Sequence, residues 1–388
     1  MARREDPMKY RRFGRLDWKA SVLGFGAMRL PIIGDDFAKI DEPEAIKMIR
    51  YAIDHGVNYI DTAYVYHSGN SEILLCKALQ DGYRRKVRIA TKMPTWLVHG
   101  KDDMDKYLDE QLSRLKTDHV DFYLLHGMNK ERWQDLTKID VFKWAEEKIE
   151  EKKFDYLGFS FHDEYSVFKK MIDAYDNWAL CQILYNYMDA KYQAGTRGLK
   201  YAASKGLAVV VMEPIAGGRL AIEPHEEIQA VWDEAGTKRK PAEWALLWVW
   251  NHPEVTVALS GMSTMSQVRQ NARAADSSGP RILSRKELNL FNRVAEKYKQ
   301  LGFVQCTECR YCQPCPNGVN IPAIIGLFNE FYMKDRDEKT KKKYVDQIVP
   351  ESRAKRCTKC GNCEKLCPQG LPIKDIMSRA AFIFEQEA

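Results

Sequence analysis

Eight of the ten cysteines fall in two short runs near the C-terminus. One is Cys306-Thr-Glu-Cys309-Arg-Tyr-Cys312-Gln-Pro-Cys315-Pro316. The other is Cys357-Thr-Lys-Cys360-Gly-Asn-Cys363-Glu-Lys-Leu-Cys367-Pro368. Thiolates are soft ligands, and paired Cys-x2-Cys motifs build either zinc ribbons or iron–sulfur sites. A zinc ion needs four ligands and no repeated triplet. A four-iron cubane suits a triplet: three close thiolates cover three irons, and a fourth, after a gap and before proline, reaches the other cluster. The second run has this spacing, whereas the first has two residues rather than three before its last cysteine. Two near-identical runs favour two 4Fe–4S clusters, with zinc as the alternative. The implied sharing is Cys306, Cys309, Cys312 and Cys367 on one cluster, and Cys357, Cys360, Cys363 and Cys315 on the other.

A second group of reactive side chains lies upstream. Asp61, Lys92, His126, Ser160, Gln182, Glu213 and Ser260 each stand at or near the end of a short run that otherwise avoids polarity. Singly, each has a plain structural reading: an Asp–Lys salt bridge, or a satisfied core histidine. Seven polar residues at one recurring position make a site.

The elements that must position them are legible. Val22–Met28, Tyr59–Ala63, Val87–Met93, Val120–Gly127, Tyr156–Phe161, Leu180–Asn186, Ala208–Pro214 and Val255–Gly261 are nearly continuous apolar runs, as strands buried on both faces are. Amphipathic stretches separate them, among them Pro43–Ile53, Asp102–Leu115 and Trp133–Lys152. Alternating strand and helix means parallel strands with crossover helices. Eight such units predict a closed (β/α)8 barrel, whose active site sits at the C-terminal strand ends. An open doubly wound sheet would begin with a Gly-rich fingerprint, and Gly24-Phe25-Gly26 has no third glycine at Arg29. Beyond Ala275 the texture changes, through Ser277-Ser278-Gly279-Pro280 to an amphipathic stretch over Ser284–Leu301. The boundaries expected are 1–280 for the barrel and 281–388 for a small, mostly helical dicluster domain. The gap between the cysteine runs leaves room for a helix pair. The basic segment Lys339, Lys341, Lys342 and Lys343 is a solvated face, or else a docking site for an acidic redox protein.

In three places the barrel sequence closely resembles the aldo-keto reductases: Ile60-Asp61-Thr62-Ala63-Tyr64-Val65-Tyr66, Ala90-Thr91-Lys92 and Tyr123-Leu124-Leu125-His126. The resemblance extends over residues 8–275, through Leu157–Ser160, Cys181–Asn186 and Ser260-Gly261-Met262 followed by Gln270-Asn271. The cysteine-rich end is similar to the iron–sulfur, ferredoxin-like extension of one bacterial and archaeal branch of that family. The resemblance implies an oxidoreductase performing NAD(P)H-dependent carbonyl/alcohol interconversion with a catalytic tetrad of Asp61, Tyr66, Lys92 and His126. Tyr66 is the implied general acid. A free phenol with pKa near 10 donates poorly at neutral pH unless a cation sits beside it. Lys92 is that cation, Asp61 keeps it charged and oriented, and His126 orients the carbonyl oxygen.

By the same resemblance Ser160 and Gln182 hold the nicotinamide carboxamide beside Met212. Gly217, Gly218, Gly261, Met262 and Ser263 cradle phosphates, and Asn271 reads the adenine. Gln267 stands where NADP-preferring members carry an arginine, with Arg269 close by; the preference read here is NADP over NAD. Phe161 replaces an asparagine and Met212 a stacking tyrosine. Trp96 and Trp133 are read as walls of the substrate pocket or as loop anchors. Two clusters on a hydride enzyme imply electron exchange with a partner such as ferredoxin or flavodoxin; clusters that only staple the tail are the alternative. Two other functions stay open: a dehydration or other acid–base step on a polyol or sugar without net nicotinamide turnover, and a mainly electron-transfer module.

The composition is compatible with all of these. With 45% hydrophobic and 29% charged residues, the 388-residue chain buries a full core. A net charge of +6 is too small to argue for nucleic acid, and no apolar run is long enough to span a membrane. The polar start, Arg3 to Asp6, shows no secretory signal, and Arg11-Arg12 opens a hairpin rather than an export signal. The expected compartment is the cytoplasm, where clustered thiols bind metal more often than they form disulfides.

Overall fold

The computed structural model describes residues 8–34, 36–334 and 336–385; Arg3 to Asp6 lie outside them. The chain divides into two compact units. One comprises the residues up to Pro214 together with Glu243–Leu283, the other Ile215–Ala242 together with the chain from Ser284 onward.

The first unit opens on an antiparallel hairpin, β1 (Tyr10–Arg12) and β2 (Lys19–Ser21). Eight parallel strands follow: β3 (Leu23–Gly26), β4 (Tyr59–Asp61), β5 (Arg88–Met93), β6 (Val120–Met128), β7 (Phe154–Phe161), β8 (Leu180–Leu184), β9 (Ala208–Met212) and β10 (Val255–Gly261). They close into a barrel, with β10 pairing β3 through Ala258–Leu23 to Gly261–Gly26. Every apolar run read as a strand is one, because each is buried on both faces by barrel interior and helices. Phe13, carried by the hairpin, packs on Tyr59 and Phe122 with ring centroids 5.7 and 4.8 Å away. Those rings stand near the strand starts, so the hairpin closes the barrel's N-terminal end and leaves the C-terminal ends for chemistry. Gly24 serves this packing rather than a nucleotide: a Cβ there would lie 2.7 Å from Val257 Cγ1.

Helices Glu42–Asp54, Lys101–Leu115 and Met265–Asp276 are among those covering the barrel. The single helix expected over Trp133–Lys152 is two, Lys130–Lys138 and Val141–Glu150. Asp140 between them has φ 55°, a left-handed conformation that no helix continues through.

The second unit is helical. Helix Arg285–Gln300 starts on a capping box between Ser284 and Glu287. The expected pair between the cysteine runs is present as Ile321–Met333 and Glu338–Gln347. Ile324, Ile325 and Phe328 meet Tyr344, Met377 and Ala380 in its core. Each fully buried large apolar side chain contributes about 1.5–3 kcal/mol.

The segment 215–242, read from sequence as part of the barrel, packs with this unit. Its helix Glu226–Asp233 sets Trp232 against Phe291, 5.0 Å between centroids. Lys297 bonds Glu227 at 2.6 Å, and Arg293 grips Glu234 through two bonds of 2.6 Å. Among the described residues no helix is long and apolar enough to cross a membrane.

Candidate active site and cysteine sites

Asp61 ends β4, Lys92 lies one residue from the end of β5, and His126 is near the end of β6. Tyr66 comes from the loop after β4. These three adjacent strands bring the four side chains together. Lys92 Nζ donates to Asp61 Oδ1 at 2.5 Å, to Thr62 O at 2.7 Å and to Tyr66 Oη at 3.3 Å, so all three ammonium protons have acceptors. Lys92 is 0% exposed and Asp61 2%. The Tyr66 and His126 rings meet edge to face at 5.9 Å.

Tyr66 is aimed by a strained turn. His67, Ser68 and Gly69 have φ of 51°, 56° and 92°, three successive left-handed residues. The turn is held by His67, which is buried. Its Nε2 accepts from the Leu30 amide at 3.1 Å, and Nδ1 lies 2.7 Å from Phe37 O. An amide can only donate, so the proton of this imidazole sits on Nδ1. Sequence reasoning missed His67, although it directly follows the tyrosine.

Behind Lys92 lies a second buried carboxylate that sequence reasoning also missed. Glu72 accepts from Thr91 Oγ1 at 2.6 Å, Gln111 Nε2 at 2.7 Å and Arg114 Nη1 at 3.2 Å. Gln111 Nε2 also bonds Lys92 O at 3.1 Å. The visible sign is Gln111 and Arg114, three apart on one helix, facing the helix that bears Glu72.

Burial pulls the Lys92 ammonium below its ordinary value, while Asp61 and then Glu72 act the other way. Burial likewise raises Asp61 against the opposing pull of Lys92. His126 lies well below the ordinary histidine value, first from burial and then from Lys92, His162 and Arg132. It is therefore a neutral imidazole at neutral pH. Trp96 packs on His126 at 5.1 Å, and the Arg132 guanidinium lies 5.2 Å over Trp96, which places Trp96 beside the tetrad. Trp133 instead packs on Phe142 at 5.4 Å, an anchor between two outer helices.

His162, partly buried, is held down to about 4 by burial and then by Arg132. Its ordinary value is about 6.5, so between these values the unfolded chain binds a proton that the native protein does not. Stability is therefore expected to fall as pH drops from about 6.5 to about 4, by roughly 2 kcal/mol after allowing for partial exposure. His126, shifted the same way, adds to the slope. Urea melts across this range check it, and His162→Asn is expected to flatten the curve. A wild-type midpoint unchanged down to pH 4 contradicts it.

The residues implied for the nucleotide come from several strand ends and loops. Ser160 and Gln182 are neighbours on β7 and β8. Ser160 Oγ accepts from the Gly127 amide at 2.7 Å. Gln182 is 3% exposed; its Nε2 has Met212 Sδ at 3.9 Å, and its Oε1 has no partner among the described residues. A buried amide with an unused acceptor costs stability on its own and suits a carboxamide ligand. Ser263 Oγ donates to Arg29 O at 2.8 Å, and the Ser263 amide donates to Gln267 Oε1 at 2.7 Å. Gln267 is thus turned back onto its own helix start. Asn271 donates to Ser260 Oγ at 2.9 Å, and Met262 is buried. Arg269 lies 5.5 Å over the Tyr51 ring. Gly261 lets the Arg29 stem pass, since a Cβ there would be 3.1 Å from it. Arg29 reaches Glu213 at 3.3 Å, a pair that sequence reasoning did not anticipate.

Gly217 and Gly218, implied as phosphate contacts, fall in the second unit. A Cβ on Gly217 would collide with the Thr307 backbone, between Cys306 and Glu308. Arg219, close behind, donates to Cys306 O at 3.3 Å and pairs with Glu308.

The cysteines line two cavities. One has Cys306, Cys309, Cys312 and Cys367 in its wall, the other Cys312, Cys315, Cys357, Cys360 and Cys363. Cys312 and Ile321 border both, so the cavities are neighbours. The two loops have one backbone pattern. Glu308 and Arg310 flank Cys309 at φ 52° and 64°, and Lys359 and Gly361 flank Cys360 at 58° and 79°. Left-handed residues at such intervals turn amides inward into nests that bind anionic sulfur. Burial pushes the Cys312 thiol up to about 12, reinforced by Cys309, Cys306 and Cys367. Donors and nests fit iron–sulfur clusters. Among the described residues, no three His, Cys, Asp or Glu side chains converge as ligands of a single ion.

Comparison with known proteins agrees with this anatomy. The aldo/keto reductase family profile matches residues 22–280, and a 4Fe-4S dicluster domain profile matches residues 305–371. The uncharacterized oxidoreductase YrpG of Bacillus subtilis is 27% identical over 310 residues, 69% of this chain and 91% of that protein. L-galactose dehydrogenase of Arabidopsis thaliana is 25% identical over 312 residues, 76% of this chain and 96% of that one. Among solved structures, the holo form of an aldo-keto reductase of Bacillus halodurans superposes with TM-score 0.63 at 26% identity, covering 74% of this chain and 96% of that one. A Klebsiella pneumoniae aldo-keto reductase in complex with NADPH gives 0.60 at 27% identity, covering 74% and 95%. A closed eight-stranded parallel barrel with an Asp–Tyr–Lys–His cluster at its strand ends, followed by a 4Fe–4S dicluster domain, makes this chain a member of the aldo/keto reductase family.

Proposed function

We propose that this protein catalyses NADP(H)-dependent interconversion of a small carbonyl compound and its alcohol, and holds two 4Fe–4S clusters that exchange electrons with a partner protein. The observation that carries the reading is the buried Lys92 ammonium donating to both Asp61 and the Tyr66 hydroxyl. When bound, the nicotinamide supplies or accepts the hydride and the clusters supply or accept single electrons. The rest is the work of side chains. Tyr66 Oη delivers a proton to the oxygen that becomes the alcohol, and takes it back in the reverse direction. Lys92 stabilises the phenolate left behind. Asp61 keeps that ammonium charged in a dry site. His126, neutral, donates a hydrogen bond to the carbonyl oxygen and fixes its direction. Trp96 excludes water on that side.

Gln182 and Ser160 hold the carboxamide. NADP rather than NAD is supported by the NADPH held by the Klebsiella neighbour. Cys306, Cys309, Cys312 and Cys367 hold one cluster; Cys315, Cys357, Cys360 and Cys363 hold the other.

Calorimetric titration of oxygen-free protein tests the nucleotide part. NADPH is expected to bind, and Gln182→Met to weaken it about tenfold, the worth of one buried hydrogen bond. No heat with either NADPH or NADH contradicts the reading.

A further inference from the structure

The cysteine cavities differ in their access to solvent. Cys306, in one, is 9% exposed, whereas Cys360, in the other, is exposed. The rim of the outer cavity includes Leu366, an apolar side chain 55% exposed. From Arg353 to Leu366 the chain carries five cations and one anion, Glu364. Glu364 is taken by Lys374, at 3.1 Å between side chains. Lys355, Arg356, Lys359 and Lys365 are all exposed. Among the described residues none of their side chains pairs with a carboxylate, although the Lys355 amide donates to Glu385 Oε1 at 3.1 Å. In the lysine run of helix Glu338–Gln347, Lys341 pairs with Glu338 and Lys343 with Glu330, each at 2.7 Å, while Lys339 and Lys342 are exposed; none of the four lines the cavity of Cys360.

We propose that the face around Cys360 and Leu366 is the docking site for an acidic one-electron carrier protein of the ferredoxin class, and that electrons enter or leave there. This rests on the reading that the clusters are redox-active. An exposed apolar centre within a charged rim is the make-up of a small, transient interface. Uncompensated like charges steer an oppositely charged partner and raise its association rate, with strong salt dependence. A cluster held by four thiolates is itself negative and repels an acidic carrier; the exposed cations around it overcome that repulsion where the carrier must come nearest. One electron passes from the reduced carrier, which is oxidised, to the cluster held by Cys315, Cys357, Cys360 and Cys363, which is reduced. No bond forms or breaks.

The test uses full-length protein with its clusters and a small acidic bacterial 4Fe–4S ferredoxin, reduced beforehand and mixed in a stopped-flow cell. The second-order rate of cluster bleaching is expected to fall at least tenfold in K355E/K359E/K365E. It is also expected to fall steeply with salt in the wild type and to stay unchanged in K339E/K342E. Iron content and bleaching by dithionite are expected to be the same in all three. A triple variant as fast as wild type, a salt-independent rate, or equal loss in K339E/K342E overturns the proposal. So does a ferredoxin that transfers nothing to clusters that dithionite reduces. Clusters that bind fully but resist dithionite overturn the redox reading itself, a distinguishable failure.

Discussion

Tyr66→Phe is expected to lower the turnover number for carbonyl reduction by about 10²–10⁴-fold, the usual worth of a positioned general acid. NADPH affinity and iron content are expected to stay as they are. The substitution keeps the ring, and with it the edge-to-face contact with His126 at 5.9 Å. Only the hydroxyl goes. Lys92 loses its most distant acceptor, at 3.3 Å, and keeps Asp61 and the Thr62 carbonyl, so the buried ammonium is not orphaned. A structural role for Tyr66 therefore leaves the Phe variant active. Steady-state kinetics beside calorimetry separate the two cases: loss of turnover with unchanged nucleotide affinity is the signature of a proton donor.

The second large effect concerns how the cysteines are shared. Cys367 lies in the later run but lines the cavity of the earlier one, and Cys315 does the reverse. Each serine substitution is expected to remove about half of the iron. Doubles then discriminate. Cys306→Ser with Cys367→Ser is expected to cost no more iron than either alone, because both serve one cluster. Cys306→Ser with Cys315→Ser is expected to cost nearly all of it. If each run held its own cluster, the two doubles would exchange results. Zinc in oxygen-free protein would contradict both patterns.

The barrel was readable because parallel strands covered on both faces leave continuous apolar runs. Asp61, Lys92 and His126 were readable because they interrupt those runs at one end, whereas Tyr66, on the loop after β4, came only with the family resemblance. What escaped depends on contacts distant in sequence. Nothing in the composition of Ile215–Ala242 tells that it packs with the helices that follow Ser284. It does so because Trp232 meets Phe291 and because Lys297 and Arg293 find Glu227 and Glu234, pairings 59 to 70 residues apart. The close approach of Gly217 to Thr307 is of the same kind, a contact between residues 90 apart in sequence. Glu72 was hidden because a carboxylate on a helix ordinarily faces water. Only its partners Thr91, Gln111 and Arg114 make its burial tolerable. The break at Asp140 rests on a single left-handed residue of a type that also occurs inside helices. Free cations around Cys360 were equally illegible, because sequence lists charges without saying which are paired.

Following a label from cofactor to product tests the central claim most directly. Oxygen-free enzyme is given NADPH deuterated at C4 and 4-nitrobenzaldehyde as a generic carbonyl probe, and the alcohol is analysed by mass spectrometry and NMR. Deuterium on the carbinol carbon, with Tyr66→Phe forming far less alcohol, is the expected result. NADPH left unoxidised and unbound, or alcohol formed without the label, would contradict the assignment of Tyr66, Lys92, Asp61 and His126 to nicotinamide-dependent carbonyl chemistry.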